Sequence, residues 1–318
     1  MDALYTLFPV SGVTTWVFLP PLVALVVSTF TSMGGVSGAF LLLPFQMSFL
    51  GFTSPAVSST NFVYNIVAIP SGVYQYFKEG RMAWPLTWVV IAGTLPGVFI
   101  GYYLRIFYLP DPRAFKLFAG CVLLYIGARL LYETSGRAQA SKTRLNDLDR
   151  KFAERARLMR DRRSSRAAAG LPPDAVVKTV SFTLSAIEYE FWGERFRFSV
   201  PAMFALAFVV GVIGGGAIIA PFCVAVFHLP VYTVAGAALF GTFLTSIVGV
   251  IFYSVLPAAN GILTAPDWAL GFLFGAGGFG GMYLGARLQK YVPQKAIKLL
   301  LGAMILSLAL RYISRYFV

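Results

Sequence analysis

The chain carries one pattern twice. Gly38, Pro44, Phe45, Val57, Gly72 and Tyr76 recur 177 residues later as Gly215, Pro221, Phe222, Val234, Gly249 and Tyr253. At an offset of 184, Trp84, Gly93, Gly97 and Gly101 return as Trp268, Gly277, Gly281 and Gly285. At 182, Ala114, Lys116, Leu117, Gly120 and Arg129 return as Ala296, Lys298, Leu299, Gly302 and Arg311. The offset shifts only around 256–264 and 290–293, where loop insertions are tolerated. A chain so written folds as two related units, and each unit is strongly apolar.

That apolarity sets the solvent. Hydrophobic residues make up 58% of the chain and charged residues 12%, well outside the soluble range. Runs long enough to cross ~30 Å of hydrocarbon occur along most of its length. No carboxylate lies deep in an apolar run: nine fall between Glu133 and Glu194, and Asp2, Glu79, Asp111 and Asp267 lie in loops or at helix ends. The net charge of +13 sits largely beside membrane segments. It therefore reads as a topology signal and a partner for anionic lipid headgroups, not for nucleic acid. Cys121 and Cys223 read as small apolar packing residues. Residues 1–12 lack the basic region and cleavage site of a removable signal peptide. Nothing in the chain calls for a cofactor or a metal.

The expected fold is an all-α polytopic membrane protein with two inverted-topology repeats and broken or re-entrant helices. A small cytoplasmic helix and β-hairpin insert joins the repeats. The units are an N-terminal transmembrane repeat (1–133), a basic linker (134–198) and a C-terminal repeat (199–318). Each repeat begins with a broken pair, 13–33 and 36–50 in the first, 200–214 and 217–228 in the second. Three longer helices follow in each: 56–77, 84–105 and 114–132, then 231–256, 268–287 and 296–317. A helix over 217–228 rises only ~18 Å, too short to cross a bilayer alone, so a re-entrant hairpin is expected.

Residues 134–198 carry 14 basic residues and are expected in the cytoplasm of a cell that holds the chain in its inner or plasma membrane. With that side fixed, inverted repeats place six flanking Lys and Arg inside and five outside, against four and seven for parallel repeats. Within the linker, 137–169 has the pattern of a charged amphipathic helix. Residues 176–199 alternate with period two around a turn at Trp192-Gly193-Glu194, which predicts a β-hairpin.

Paired hydrophobic repeats are the pattern of secondary transporters, whose substrate site lies between the halves. Matched glycine-rich breaks, with Gly34, Gly35, Ser37 and Gly38 in one half and Gly214, Gly215 and Gly216 in the other, precede short helices. A helix start presents N–H groups and a positive dipole end, which suit an anion. The plainer alternative is that these glycines only permit close packing. Asn61 and Asn65, four apart on one helical face, and Thr242 and Thr245 in the other half complete the candidate substrate site. Whether the two amides touch substrate or support a broken backbone stays open. The Gly93/Gly97/Gly101 and Gly277/Gly281/Gly285 stripes read as helix contact faces. The single histidine, His228, ends a short helix and reads as a cap.

The order of these pieces resembles the sulfite exporter TauE/SafE family of membrane transporters. The likeness spans about 21–133 and 200–317. It rests on Gly34-Gly35-Val36-Ser37-Gly38 leading to Pro44, and on its echo Gly214-Gly215-Gly216 leading to Pro221. Ala56-Val57-Ser58-Ser59-Thr60-Asn61, Gly80-Arg81-Met82-Ala83-Trp84 and the tract from Gly277 to Leu288 add to it. The resemblance implies export of small sulfur-containing anions such as sulfite, sulfonates or sulfoacetate, and no enzymatic activity. The long basic linker, and Ser37 in a break that is often all glycine, depart from the family's usual pattern. Two alternatives come from other classes. Gly35-Val36-Ser37-Gly38 spells the GxSG of rhomboid-type intramembrane serine proteases, with His228 to complete a dyad. A non-transporting receptor or assembly factor would act through 134–198. Self-association into a homo-oligomer is compatible with every reading.

Overall fold

The computed structural model describes residues 5–104, 112–134, 176–191, 193–214, 218–255 and 264–317. The amphipathic segment expected over 137–169 lies outside them. Strands β1 (Tyr5–Phe8) and β2 (Val13–Trp16) open the chain as an antiparallel hairpin, with Phe8 opposite Val13. This corrects the expectation of a single helix over 13–33. Gly12 turns the chain at a φ of 67°, and Val13 and Thr15 face inward while Thr14 and Trp16 face out, a period of two. Helix α1 (Leu19–Met33) then begins with proline in its first turn, where the missing N–H removes no helical bond.

The first repeat continues with α2 (Ala39–Ser48), α3 (Ala56–Lys78), α4 (Trp84–Tyr103) and α5 (Pro112–Thr134). An antiparallel sheet of β3 (Lys178–Phe182), β4 (Ala186–Phe191) and β5 (Glu194–Ser199) follows, three strands where a hairpin is expected. The second repeat is α6 (Val200–Gly214), α7 (Ile219–Phe227), α8 (Val231–Val255), α9 (Trp268–Leu288), a 3-10 turn at Gln289–Tyr291 and α10 (Gln294–Phe317).

Among the described residues, four helical stretches are long and apolar enough to cross a membrane: α4, α8, α9 with its following turn, and Lys295–Ser314 of α10. Helix α3 spans 23 residues but is too polar for that group. Its Ser58, Ser59, Thr60, Asn61 and Asn65 are all buried, so the polar face is turned into protein. That arrangement is what a costly polar group in hydrocarbon demands.

The fourth helix of each repeat packs against the first helix of the other. Along α9, Gly277, Gly281 and Gly285 meet Pro21, Leu25 and Thr29 of α1 in the same order, so the two helices run parallel. Along α4, Gly93, Gly97 and Gly101 meet Phe204, Phe208 and Val212 of α6, also parallel. A Cβ at any of these glycines would collide with facing backbone. In lipid, where burying apolar surface gains little between helices, such close approach supplies the packing energy. The third helices run antiparallel: Phe62 of α3 meets Gly249 and Tyr253 of α8, Asn65 meets Ser246, and Tyr76 meets Gly236. So do the fifth, with Gly120 against Tyr312 and Gly127 against Leu306.

The sheet caps one end of the bundle. Ile187, Tyr189, Phe191, Phe196 and Phe198 point into a core shared with α4 to α8 and α10. The Tyr189 hydroxyl is 2.9 Å from Thr233 Oγ1 at the start of α8, and burial pushes that phenol's pKa above its ordinary value. A second core gathers α1, α2, α3 and α9.

Candidate functional site

Helix α1 stops at Met33, and the backbone from Gly34 to Gly38 is fully buried before α2 begins. Gly35 has φ 70°, and a Cβ there would lie 2.5 Å from the Ala235 Cα of α8. Both features require glycine. A Cβ on Gly38 would strike the Tyr64 hydroxyl, which pairs with Ser28 Oγ at 2.7 Å.

Most amides at this break are occupied in this conformer. Gly34 N and Val36 N donate to Thr31 O, and Gly35 N donates to Ser32 O, closing the end of α1. Ala39 N donates to Ser37 Oγ at 3.1 Å, and Phe40 N and Leu41 N donate to Ser37 O and Gly38 O. What the break contributes outward is its serine and the positive end of the α2 dipole.

Ser37 Oγ donates to Asn65 Oδ1. Asn65 Nδ2 donates to Ser246 Oγ at 2.9 Å, and Ser246 Oγ donates to Thr242 O at 2.7 Å. A single chain of hydrogen bonds thus runs from the first break, across α3, into α8. One turn away, Asn61 Oδ1 accepts from Gln46 Nε2 of α2 at 3.1 Å. Asn61 Nδ2 and Gln46 Oε1 have no hydrogen-bond partner among the described residues, although both side chains are buried. An unpartnered donor in that setting is costly, and a ligand acceptor would relieve it.

Thr242 Oγ1 and Thr245 Oγ1 donate to Ala238 O and Gly241 O of their own helix, at 2.9 and 3.0 Å. Gly214 closes α6, and Gly215 and Gly216 lie outside the described residues. Of the candidate residues, the structure therefore brings Ser37 and Asn65 into direct contact and sets Asn61 on the same face. Thr242 accepts the end of the chain through its carbonyl. His228 caps α7 in a left-handed conformation, φ 53°. Cys223 packs with its Sγ 3.5 Å from Met203 Sδ, whereas Cys121 lies exposed on α5.

Two partners do not stand out in sequence. Gln46 is the lone amide in the apolar run of α2, and that isolation is the signal that marks it. The other is a buried ion cluster where α1, α3 and α9 end. Arg81 is fully buried, with Nη2 2.6 Å from Glu79 Oε2, and Lys290 Nζ lies 3.1 Å from Glu79 Oε1. Glu79, expected in a loop or at a helix end, does lie at the end of α3 but is buried there.

Searches among curated proteins and among solved structures each found no match to the chain. A family model described as sulfite exporter TauE/SafE matches residues 21–312. Together with the apolar helices, this makes the protein a membrane protein of transporter type, consistent with a chain that is not an enzyme. The match covers both repeats and the linker between them, and the chain belongs to the sulfite exporter TauE/SafE family.

Proposed function

We propose that the protein exports small sulfur-containing anions such as sulfite, sulfonates or sulfoacetate, held at the helix breaks between two inverted repeats. The observation that carries the reading is the Ser37–Asn65–Ser246 chain. It ties the first break to the third helices of both repeats, near the middle of each. Hydroxyl and carboxamide donors hold an oxyanion without a buried countercharge. In this reading the anion takes the Ser37 hydroxyl proton from Asn65 Oδ1 and accepts from the bare Asn61 Nδ2. Gly34, Gly35 and Gly38, with Gly214 in the other half, let backbone approach it. The hydroxyls of Thr242 and Thr245 turn from their own helix to meet it.

Inverted repeats are supported by the antiparallel pairing of equivalent helices, α3 with α8 and α5 with α10, beside parallel pairing of α1 with α9 and α4 with α6. Re-entry of α2 is supported by a cavity of about 420 Å³ lined by Leu19 and Leu22 from the start of α1 together with Phe49 and Leu50 from the end of α2. The pair thus returns to the side on which it began. The basic linker supports a cytoplasmic side for the sheet, in a prokaryotic inner or plasma membrane whose anionic headgroups face that charge.

The experiment is flux from proteoliposomes loaded with labelled sulfite, a sulfonate or sulfoacetate. The expected result is release of at least one of them that unlabelled anion competes away. Release no faster than from protein-free vesicles, across the whole panel, overturns the proposal.

A further inference from the structure

Helices α1, α3 and α9 all finish at the sheet end of the bundle, each leaving carbonyls without helical partners and a negative dipole end. Side chains meet those carbonyls. Gln289 Nε2 donates to Met33 O at 2.6 Å, and Tyr76 Oη donates to Ser32 O at 2.9 Å. Arg81 Nη2 donates to Ala286 O at 2.9 Å, Nη1 donates to Gln289 Oε1, and the guanidinium lies 4.6 Å from the centroid of the Tyr76 ring. Glu79 then neutralises Arg81 and draws in Gln75 and Lys290. Gln289 also reaches Val231 O at the start of α8, at 3.5 Å.

The chemistry of Gln289 is specific. Its amide oxygen is held by Arg81, so its amide nitrogen is aimed at the last carbonyl of α1, beside Gly34. Met33 is the residue where the helix gives way to the candidate anion site. A route toward the sheet side needs that helix end to leave α3 and α9, and the Gln289–Met33 bond spans the separation.

We infer that Arg81 is a positioning residue for the first break, acting through Gln289, and that this relay latches the sheet-side mouth of the pathway shut. The inference rests on the transporter reading of the break, and its test needs no substrate. In a background with Cys121→Ala and Cys223→Ala, Ser37→Cys serves as the reporter. Its reaction with a membrane-impermeant thiol reagent is timed in vesicles of each orientation.

Gln289→Ala removes the donor to Met33 and leaves Arg81 still paired with Glu79. It is expected to speed labelling from the sheet side by roughly tenfold, an ordinary coupling between two protein states. Gln289→Glu swaps the donor for an acceptor: a carboxylate still pairs with Arg81 but meets the Met33 carbonyl with no proton to donate, so sheet-side labelling is expected to accelerate. Arg81→Lys keeps the charge beside Glu79 and loses the fork that holds Gln289, and it too is expected to accelerate labelling. Labelling at the parental rate in all three variants, or faster only from the opposite side, overturns the latch. Absence of flux from loaded vesicles would instead count against the transporter reading and leave the labelling result standing.

Discussion

At the sheet end, Tyr76 of α3 lies beneath Arg81 with its hydroxyl on Ser32 O. Its repeat counterpart Tyr253, at the end of α8, rests among the rings of Phe62 and Tyr102, with centroids 5.8 and 5.0 Å away. Equivalent positions have taken up unlike chemistry. Around Tyr76 the contacts are directional and charged, and each depends on a partner with one geometry. The Tyr253 ring is packed by aromatic rings, beside the Phe99–Phe252 pair at 5.3 Å, while its carbonyl accepts from Thr264 Oγ1 at 3.1 Å. Rings slide and re-pack with small energy changes, whereas a buried ion pair is either made or broken. Under the transporter reading proposed above, this difference would give the two ends closures of unequal stiffness.

The largest effect tests the stiff end. Arg81→Gln leaves Glu79 buried with Lys290 as its cation among the described residues. Breaking such a pair by removing one partner costs ~3–5 kcal/mol, enough to depress the unfolding temperature sharply or prevent folding. The double change Arg81→Gln/Glu79→Gln takes both charges away together and should recover a large part of the loss. Thermal unfolding in detergent measures both. A double variant as weak as the single one would show that the cluster acts through packing, and the contrast between the ends would lose its electrostatic basis.

Between the two ends stands Asn65, which accepts from Ser37 and donates to Ser246. Asn65→Ala leaves a buried donor and a buried acceptor without their partner, a cost of about 1–3 kcal/mol by unsatisfied-group estimates. It should also reduce anion flux far more than it reduces folded protein. Flux that falls only in proportion to the folded fraction would make Asn65 a strut and remove it from the binding site.

These features differ in how far the sequence discloses them. Helix limits follow from apolar runs punctuated by glycine and proline, so α6 ends at Gly214 as its pattern predicts. The glycine stripes are legible for the same reason: spacing of four puts them on one face, and the structure lays α1 and α6 on those faces. The opening hairpin is hard to read, because strands of four residues are too short for a period of two to stand out beside the apolar helix that follows. The ion cluster is still further from view. Arg81 meets Gln289 and Ala286 across separations of 208 and 205 residues, and Gln289 meets Met33 across 256. Local pattern reports that Arg81 follows a helix. Only the convergence of three helix ends makes that position a buried cation site.

A smaller effect compares hydroxyls at the two ends. Tyr76→Phe removes the donor to Ser32 O but keeps the ring beneath Arg81. The loss should be about 1 kcal/mol, the ordinary net worth of one hydrogen bond. Sheet-side labelling of Ser37→Cys should rise modestly, by less than Gln289→Ala produces. A Tyr76→Phe effect larger than that of Gln289→Ala would place the latch on the tyrosine instead.

The smallest effect is expected at the aromatic end. The Tyr102 hydroxyl is buried without a hydrogen-bond partner among the described residues, and its ring packs edge-on to Tyr103 and Tyr253 at 5.6 and 5.0 Å. Tyr102→Phe keeps those ring contacts and deletes only a polar group that gains nothing from burial. Stability should stay within about 0.5 kcal/mol of the parent or rise slightly. Because the Tyr102 hydroxyl has no hydrogen-bond partner among the described residues to lose, labelling of Ser37→Cys from the side opposite the sheet should also be unchanged. Tyr102→Ala removes the ring as well, and should speed that labelling while leaving the sheet-side rate alone. If Tyr102→Phe alone opened the far side, the hydroxyl would be a working part of that closure. The two ends would then both be polar latches, and the asymmetry between the repeats would disappear.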